Sequence, residues 1–115
     1  FENTLADSLT NRQSFRAGLS IFDIEPGVMR LKAGEPARLR LVNVSQGAHS
    51  FSAPDFFRAA RLRSRDERHL SDGGIAVPAN DVREVVLVPA AGRYSVRCGN
   101  FLHWIIGMRS EIIVE

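Results

Sequence analysis

The chain has 115 residues, of which 44% are hydrophobic and 24% are charged. These fractions are typical of one soluble globular domain and argue against a disordered, collagen-like or coiled-coil chain. No apolar run approaches the roughly 20 residues that a membrane-spanning helix needs. The formal net charge of +2 is too small to indicate a nucleic-acid-binding protein. The single cysteine, Cys98, excludes an internal disulfide framework.

The beginning of the chain carries few structural signals. It starts at Phe1 without an initiator methionine, and no charged-then-apolar segment follows. We therefore expect a mature chain whose signal peptide has been removed. Residues 1–17 are polar and predict an N-terminal arm or a short helix. Because no repeat or linker divides the rest, residues 1–115 are predicted to form one domain.

From Gly18 onward, short segments of alternating polarity separated by turn residues predict β-strands. In residues 37–44, for example, Leu39 and Leu41 fall on one face and Arg38 and Arg40 on the other. The predicted strands lie near residues 19–24, 28–32, 37–44, 75–77, 82–88, 93–98 and 111–115. Six to eight short strands of this kind predict an all-β sandwich or barrel.

A short helical excursion around residues 54–70 interrupts the strands. Ser52-Ala53-Pro54 predicts a capped helix start with proline in the first turn, and Gly73-Gly74 predicts the end of the excursion. Five arginines lie between Arg58 and Arg68. This basic stretch is interpreted as a solvated face or as a docking surface for an acidic partner. His69, within the charged excursion, is expected to face solvent.

Three residues with chemically distinctive side chains, Cys98, His103 and Met108, follow one another at intervals of five. This spacing fits neither one face of a strand nor one face of a helix, so a shared site requires the segment to loop back. A second histidine, His49, follows the strand at residues 37–44. One thiolate, two imidazoles and one thioether favour copper, because soft sulfur suits Cu(I) and imidazole suits both oxidation states. A thioether adds little to a zinc site.

The chain resembles the cupredoxins, or blue copper proteins. The resemblance rests on Gly92-x-Tyr94-x-x-x-Cys98, on Cys98-x4-His103-x4-Met108 and on the upstream His49-x-Phe51. It implies a Greek-key β-sandwich, one copper ion cycling between Cu(I) and Cu(II), and one-electron transfer. It also implies that His49, Cys98 and His103 are the equatorial ligands and that Met108 is the axial ligand.

The resemblance further implies an electron carrier that is not an enzyme, a monomer in the periplasm or otherwise outside the cytoplasm, and a redox protein partner. That partner would dock near His103 on an apolar patch formed by Phe101, Leu102, Trp104, Ile105 and Pro54. Two positions depart from the common family pattern. Ser50 stands where many members have asparagine, and Ser110 where they commonly have glycine.

Other interpretations remain open for the same residues. Taken singly, Cys98 could be a buried structural thiol, His49 a hydrogen-bonded core or surface histidine and Met108 core filler. The chain could also be a metal-free relic of the same fold. A nucleophilic cysteine–histidine pair is the enzymatic alternative. Within copper biology, the alternative is a periplasmic protein for copper storage, delivery or resistance.

Overall fold

A computed structural model describes residues 13–19, 24–25, 27–98 and 109–115 of the chain. Strands dominate this part of the molecule, with one α-helix and one 3-10 helix between them. The strands are β1 (Gln13–Leu19), β2 (Ile24–Glu25), β3 (Val28–Leu31), β4 (Ala37–Asn43), β5 (His49–Ser52), β6 (Arg61–Leu62), β7 (Leu70–Ser71), β8 (Gly74–Val77), β9 (Val82–Val88), β10 (Gly92–Cys98) and β11 (Arg109–Val114).

The strands form two sheets. The first has the order β2-β1-β4-β9-β6 and the second the order β3-β11-β10-β5-β8-β7. β1 pairs with β4 in parallel, and so does β3 with β11, whereas the other pairs are antiparallel. Two packed sheets with crossing connections confirm the predicted all-β sandwich.

The core lies between the inner faces of the two sheets. Along β4 the alternation is complete, since Leu39 and Leu41 are buried while Arg38 and Arg40 are exposed. β9 departs from alternation, because its last four residues, 85–88, are all buried. Val86 would face outward, but the segment around Asp66 covers it: Val86 N donates to Asp66 Oδ2 at 2.9 Å. Both faces of the sheet are covered at residues 85–88, which explains why this run is apolar throughout.

The helical excursion consists of helix α1 (Pro54–Ala59) and a 3-10 helix (Ser64–His69), separated by β6. Pro54 occupies the first turn of α1, as its fixed φ favours. The N-cap is Ala53, and within the described part of the chain no side chain caps the helix. The predicted capping residue, Ser52, belongs instead to β5. The helix is held by its buried Phe56, whose ring packs edge-on against Tyr94 at 5.4 Å.

The N-terminal region differs from the expectation of an arm or a short helix over residues 1–17. Residues 13–17 belong to β1, while residues 1–12 lie outside the described part. β1 forms because its whole length pairs in parallel with β4, which buries Ala17 and Leu19. A polar start such as Gln13-Ser14 carries no local signal for this non-local pairing. Among the described residues, no helix is long and apolar enough to cross a membrane.

Candidate metal centre

The register between β5 and β10 brings two of the predicted ligands to neighbouring positions. Cys98 is directly opposite Phe51, and His49 lies two residues before Phe51 on the same strand. Residues two apart on a strand share a face, and a diagonal neighbour on the adjacent strand is about 7–8 Å away between Cα atoms. Cys98 follows the buried Val96 by two residues on β10.

His49 is an interior residue. It is 2% exposed, and its Nε2 atom is buried. The alternation along β5 places His49 and Phe51 inward and Ser50 and Ser52 outward. Burying an imidazole costs free energy unless each ring nitrogen has a hydrogen-bond partner or a metal ion. The position therefore identifies His49 as an interior histidine and not a surface one.

The loop that leads into His49 is fixed by a buried amide, Asn43. Its Nδ2 donates to the main-chain oxygens of Gly47 at 2.9 Å, Val77 at 3.0 Å and Pro78 at 3.0 Å. Its Oδ1 accepts from the main-chain N and the Oγ of Ser45, at 2.9 and 2.8 Å. Asn43 is 2% exposed. These contacts join the end of β4, the loop and the end of β8, so the backbone that precedes His49 has one defined path.

The strands on either side of residues 99–108 end and begin at the same end of this sheet. β10 ends at Cys98 and β11 begins at Arg109, and Arg97 pairs directly with Arg109. Cys98 and Arg109, which flank residues 99–108, therefore lie at the same end of two adjacent strands, and the first of these strands also pairs with β5. His103 and Met108 belong to this segment and lie outside the described residues.

An ion pair lies at the same end of the sandwich, next to Asn43. Asp81 accepts hydrogen bonds from the main-chain N of Val82 at 2.7 Å and from Nη1 of Arg83 at 3.1 Å. The hydrogen bond from Val82 is the main reason that the pKa of the Asp81 carboxyl is lowered, and Arg83 adds to it. The main-chain oxygen of Asp81 also accepts from Asn43 N at 2.9 Å.

Comparison with known proteins identifies the fold family that this architecture resembles. No family model matches the sequence, and no curated protein matches it significantly. Among solved structures, auracyanin B has a TM-score of 0.66 and 17% identity, over 94% of this chain and 92% of that one. Reduced auracyanin from the photosynthetic bacterium Roseiflexus castenholzii has a TM-score of 0.67 and 12% identity, over 92% of this chain and 99% of that one. Auracyanin is a cupredoxin. The chain has a cupredoxin-like fold.

Within this cupredoxin-like fold, the two residues that depart from the common family pattern, Ser50 and Ser110, have different surroundings. Ser110 is 9% exposed, and its Oγ donates to the main-chain oxygen of Gly27 at 3.0 Å. The same oxygen accepts from Glu111 N at 3.0 Å, so the serine fastens the start of β11 to the turn before β3. Ser50 faces away from the core, on the outer face of its sheet.

The remaining predicted residues fall mostly outside the described part. Four members of the predicted apolar docking patch (Phe101, Leu102, Trp104 and Ile105) lie there, and the fifth, Pro54, is exposed at the start of α1. His69 is half-buried at the end of the 3-10 helix, so it is less open to solvent than expected. Within the described ranges, no three His, Cys, Asp or Glu side chains come together as a metal site.

Sequence reasoning missed the role of Asn43 and Ser45. Their polar side chains at the end of an amphipathic strand look like ordinary turn residues. A sequence signal does exist, since an asparagine that ends a strand and is followed two residues later by serine favours local side-chain-to-backbone hydrogen bonds. Their burial and their link to β8 depend on tertiary structure.

Proposed function

We propose that this chain is a one-electron carrier with a mononuclear type 1 copper site formed by His49, Cys98, His103 and Met108. One observation carries the proposal: the backbone of Cys98 is directly opposite Phe51, two residues from the buried His49. The other two candidate ligands belong to residues 99–108, which follow Cys98 directly and rejoin the sheet at Arg109 on the strand next to β10. The donor set fits copper, because one thiolate, two imidazoles and a weak thioether suit both Cu(I) and Cu(II).

The protein's own contribution is a rigid and dry environment. Copper, when bound, supplies the one-electron couple. His49 lies in a paired strand whose approach is fixed by the Asn43 hydrogen bonds, so its main chain would keep one position whichever oxidation state the copper had. Its burial excludes water from this side of the site. We infer that Cys98 would supply the strongest bond to the copper, that Met108 would tune its potential, and that His103 would be the electron exit.

The likeness in fold to auracyanin supports a redox role. The auracyanin of Roseiflexus castenholzii was obtained in a dithionite-reduced form, so this fold holds a reducible centre in that protein. We propose the same class of activity here, without a substrate that is chemically transformed. The partner would be a redox protein that docks near His103. The chain itself would be a single-domain monomer, located in the periplasm or another extracytoplasmic space.

Copper storage or delivery is the alternative that must be distinguished. Exchange of a metal is favoured by exposed ligands, whereas His49 is buried. A chain with only two methionines and three histidines also offers few residues for transient binding. Both features favour a permanent site.

Repeated redox cycling of the copper-loaded protein separates the two functions. The protein is loaded with Cu(II), reduced, reoxidised, and challenged in each state with a copper chelator. A carrier retains its copper and recovers its full absorbance through many cycles. Transfer of copper to the chelator in either state, at a rate comparable to reoxidation, would favour storage or delivery instead.

A further inference from the structure

The outer face of the second sheet carries a groove that the proposed copper site does not use. Its volume is about 550 Å³, within the range of binding clefts in proteins. It lies on β5, β8 and β7 and beside the end of the 3-10 helix. The lining residues are Ser50, Ser52, Arg68, His69, Ser71, Asp72, Gly74 and Ala76.

The groove exists because small residues occupy consecutive outward positions. Ser50 lies opposite Ala76, and Ser52 lies opposite Gly74, on two paired strands. Ser71, on the next strand, is also opposite Gly74. Solvent-facing positions of a sheet usually carry longer polar side chains, as Arg38 and Arg40 do on the other sheet of this protein. The floor of serine, alanine and glycine is therefore a depression.

The side chains around this floor favour a negatively charged occupant. Arg68 and His69 line one side, and three serine hydroxyls on the floor can donate hydrogen bonds. Across the floor, the exposed Arg97 on β10 is directly opposite Ser52. Asp72 is the one carboxylate among the lining residues that the structure describes. Arginine is suited to carboxylates because its guanidinium donates two parallel hydrogen bonds.

We propose that this groove binds an acidic segment of a partner protein, with carboxylates directed to Arg68 and Arg97 and with hydrogen bonds from the serines. The flat floor and the volume suit a few residues of extended chain. Arg97 on β10 lies at one side of the floor and Arg68, just before β7, at the other, so they match carboxylates spaced along a segment better than one small anion.

The position of the groove links it to the proposed copper site. Ser50 directly follows His49, and Arg97 directly precedes Cys98, so a segment bound here contacts the two strands that carry both residues. This link rests on the proposed function. Binding itself does not, because none of the residues that line the groove is a candidate copper ligand.

The test is a titration of the full chain, without added metal, with a hexaglutamate peptide at low salt. Amide chemical shifts are followed by NMR. We expect saturable shifts at Ser50, Ser52 and Ala76, and no response to hexalysine. Arg68→Ala should weaken binding about fivefold, because one well-placed ion pair contributes about 1 kcal/mol and this energy corresponds to a fivefold change in the dissociation constant. Ala76→Phe, which fills the floor at an exposed position, should abolish binding.

Arg40→Ala is the matched control, because it removes an exposed arginine from the other sheet and should leave the affinity unchanged. Three results would overturn the proposal: no saturable shifts, equal weakening by Arg40→Ala and Arg68→Ala, or equal binding of inorganic phosphate and hexaglutamate, which would indicate a site for small anions. Since no copper is added, this outcome is independent of whether the copper proposal holds.

Discussion

The side-chain Nδ2 of Asn43 donates a hydrogen bond of 3.0 Å to the main-chain oxygen of Val77. Val77 is the residue directly opposite His49 in the sheet. A buried amide on the first sheet thus holds the strand that pairs with the candidate ligand on the second sheet. The two sheets are joined by a polar contact at the end of the sandwich where the metal site is proposed, in addition to the apolar core.

Loss of this amide should destabilise the protein. Asn43→Ala leaves several buried polar groups without their present partner, so we expect the free energy of unfolding to fall by about 2–3 kcal/mol. Gln46→Ala, an exposed position in the same loop, should change it by less than about 0.5 kcal/mol. Urea denaturation measures both. Equal effects of the two substitutions would mean that the Asn43 hydrogen bonds do not contribute to the free energy of unfolding.

The buried carboxylate of Asp66 should also be important for stability. Its Oδ2 accepts from Val86 N and from Arg63 Nε, both at 2.9 Å, and its side chain is 6% exposed. We expect Asp66→Ala to cost about 2–4 kcal/mol, because a main-chain N–H and a guanidinium lose their acceptor. Asp55→Ala breaks the exposed pair with Arg58 and should cost at most about 1 kcal/mol. Thermal unfolding of both variants tests the contrast, and a similar small loss in each would contradict it.

Gly73 is constrained by its backbone and by its surroundings. It has φ +75°, and a Cβ added there would lie 2.6 Å from Cβ and 2.8 Å from Cα of Pro54. Gly73→Ala should therefore lower the free energy of unfolding by about 2 kcal/mol or more, since the left-handed conformation alone costs about 1–2 kcal/mol. At Gly47, by contrast, no described atom lies within 4 Å of an added Cβ. Gly47→Ala should be nearly neutral in urea denaturation, and a loss as large as that of Gly73→Ala would refute the steric explanation.

The lowered pKa of Asp81 predicts a pH dependence with a defined sign. A carboxyl group whose folded pKa is below its unfolded value near 3.8 stabilises the protein above that pH. This contribution is lost as the pH falls through the folded pKa. The stability difference between the wild type and Asp81→Asn should therefore shrink as the pH falls below about 4. Urea midpoints measured from pH 7 to pH 3 test this, and a difference independent of pH would contradict it.

The amphipathic strands could be predicted from sequence because their signal is local. The alternation of Leu39 and Leu41 with arginines fixes the buried face of β4 without knowledge of its neighbours. β1 was missed because its polar start becomes a strand through parallel pairing with β4, at a distance along the chain. The same limit applies to Asn43, whose acceptors at Val77 and Pro78 are more than thirty residues away.

The candidate site was predicted from residue type and spacing. Cys98, His103 and Met108 indicate copper by the chemistry of their donor atoms, which needs no coordinates. The adjacency of His49 to Cys98 needed the register of β5 against β10. The groove on the outer face was not predicted, because small residues at positions such as Ser50 and Ala76 become a depression only when their strands pair.

The absorption spectrum on addition of Cu(II) tests the central claim most directly. Wild-type protein and Cys98→Ser are titrated side by side. A type 1 site predicts an intense blue or green colour in the wild type that saturates at about one equivalent and bleaches reversibly with reductant, and no such colour in Cys98→Ser. A colourless wild-type protein, or an equal spectrum in both, would contradict the copper electron carrier.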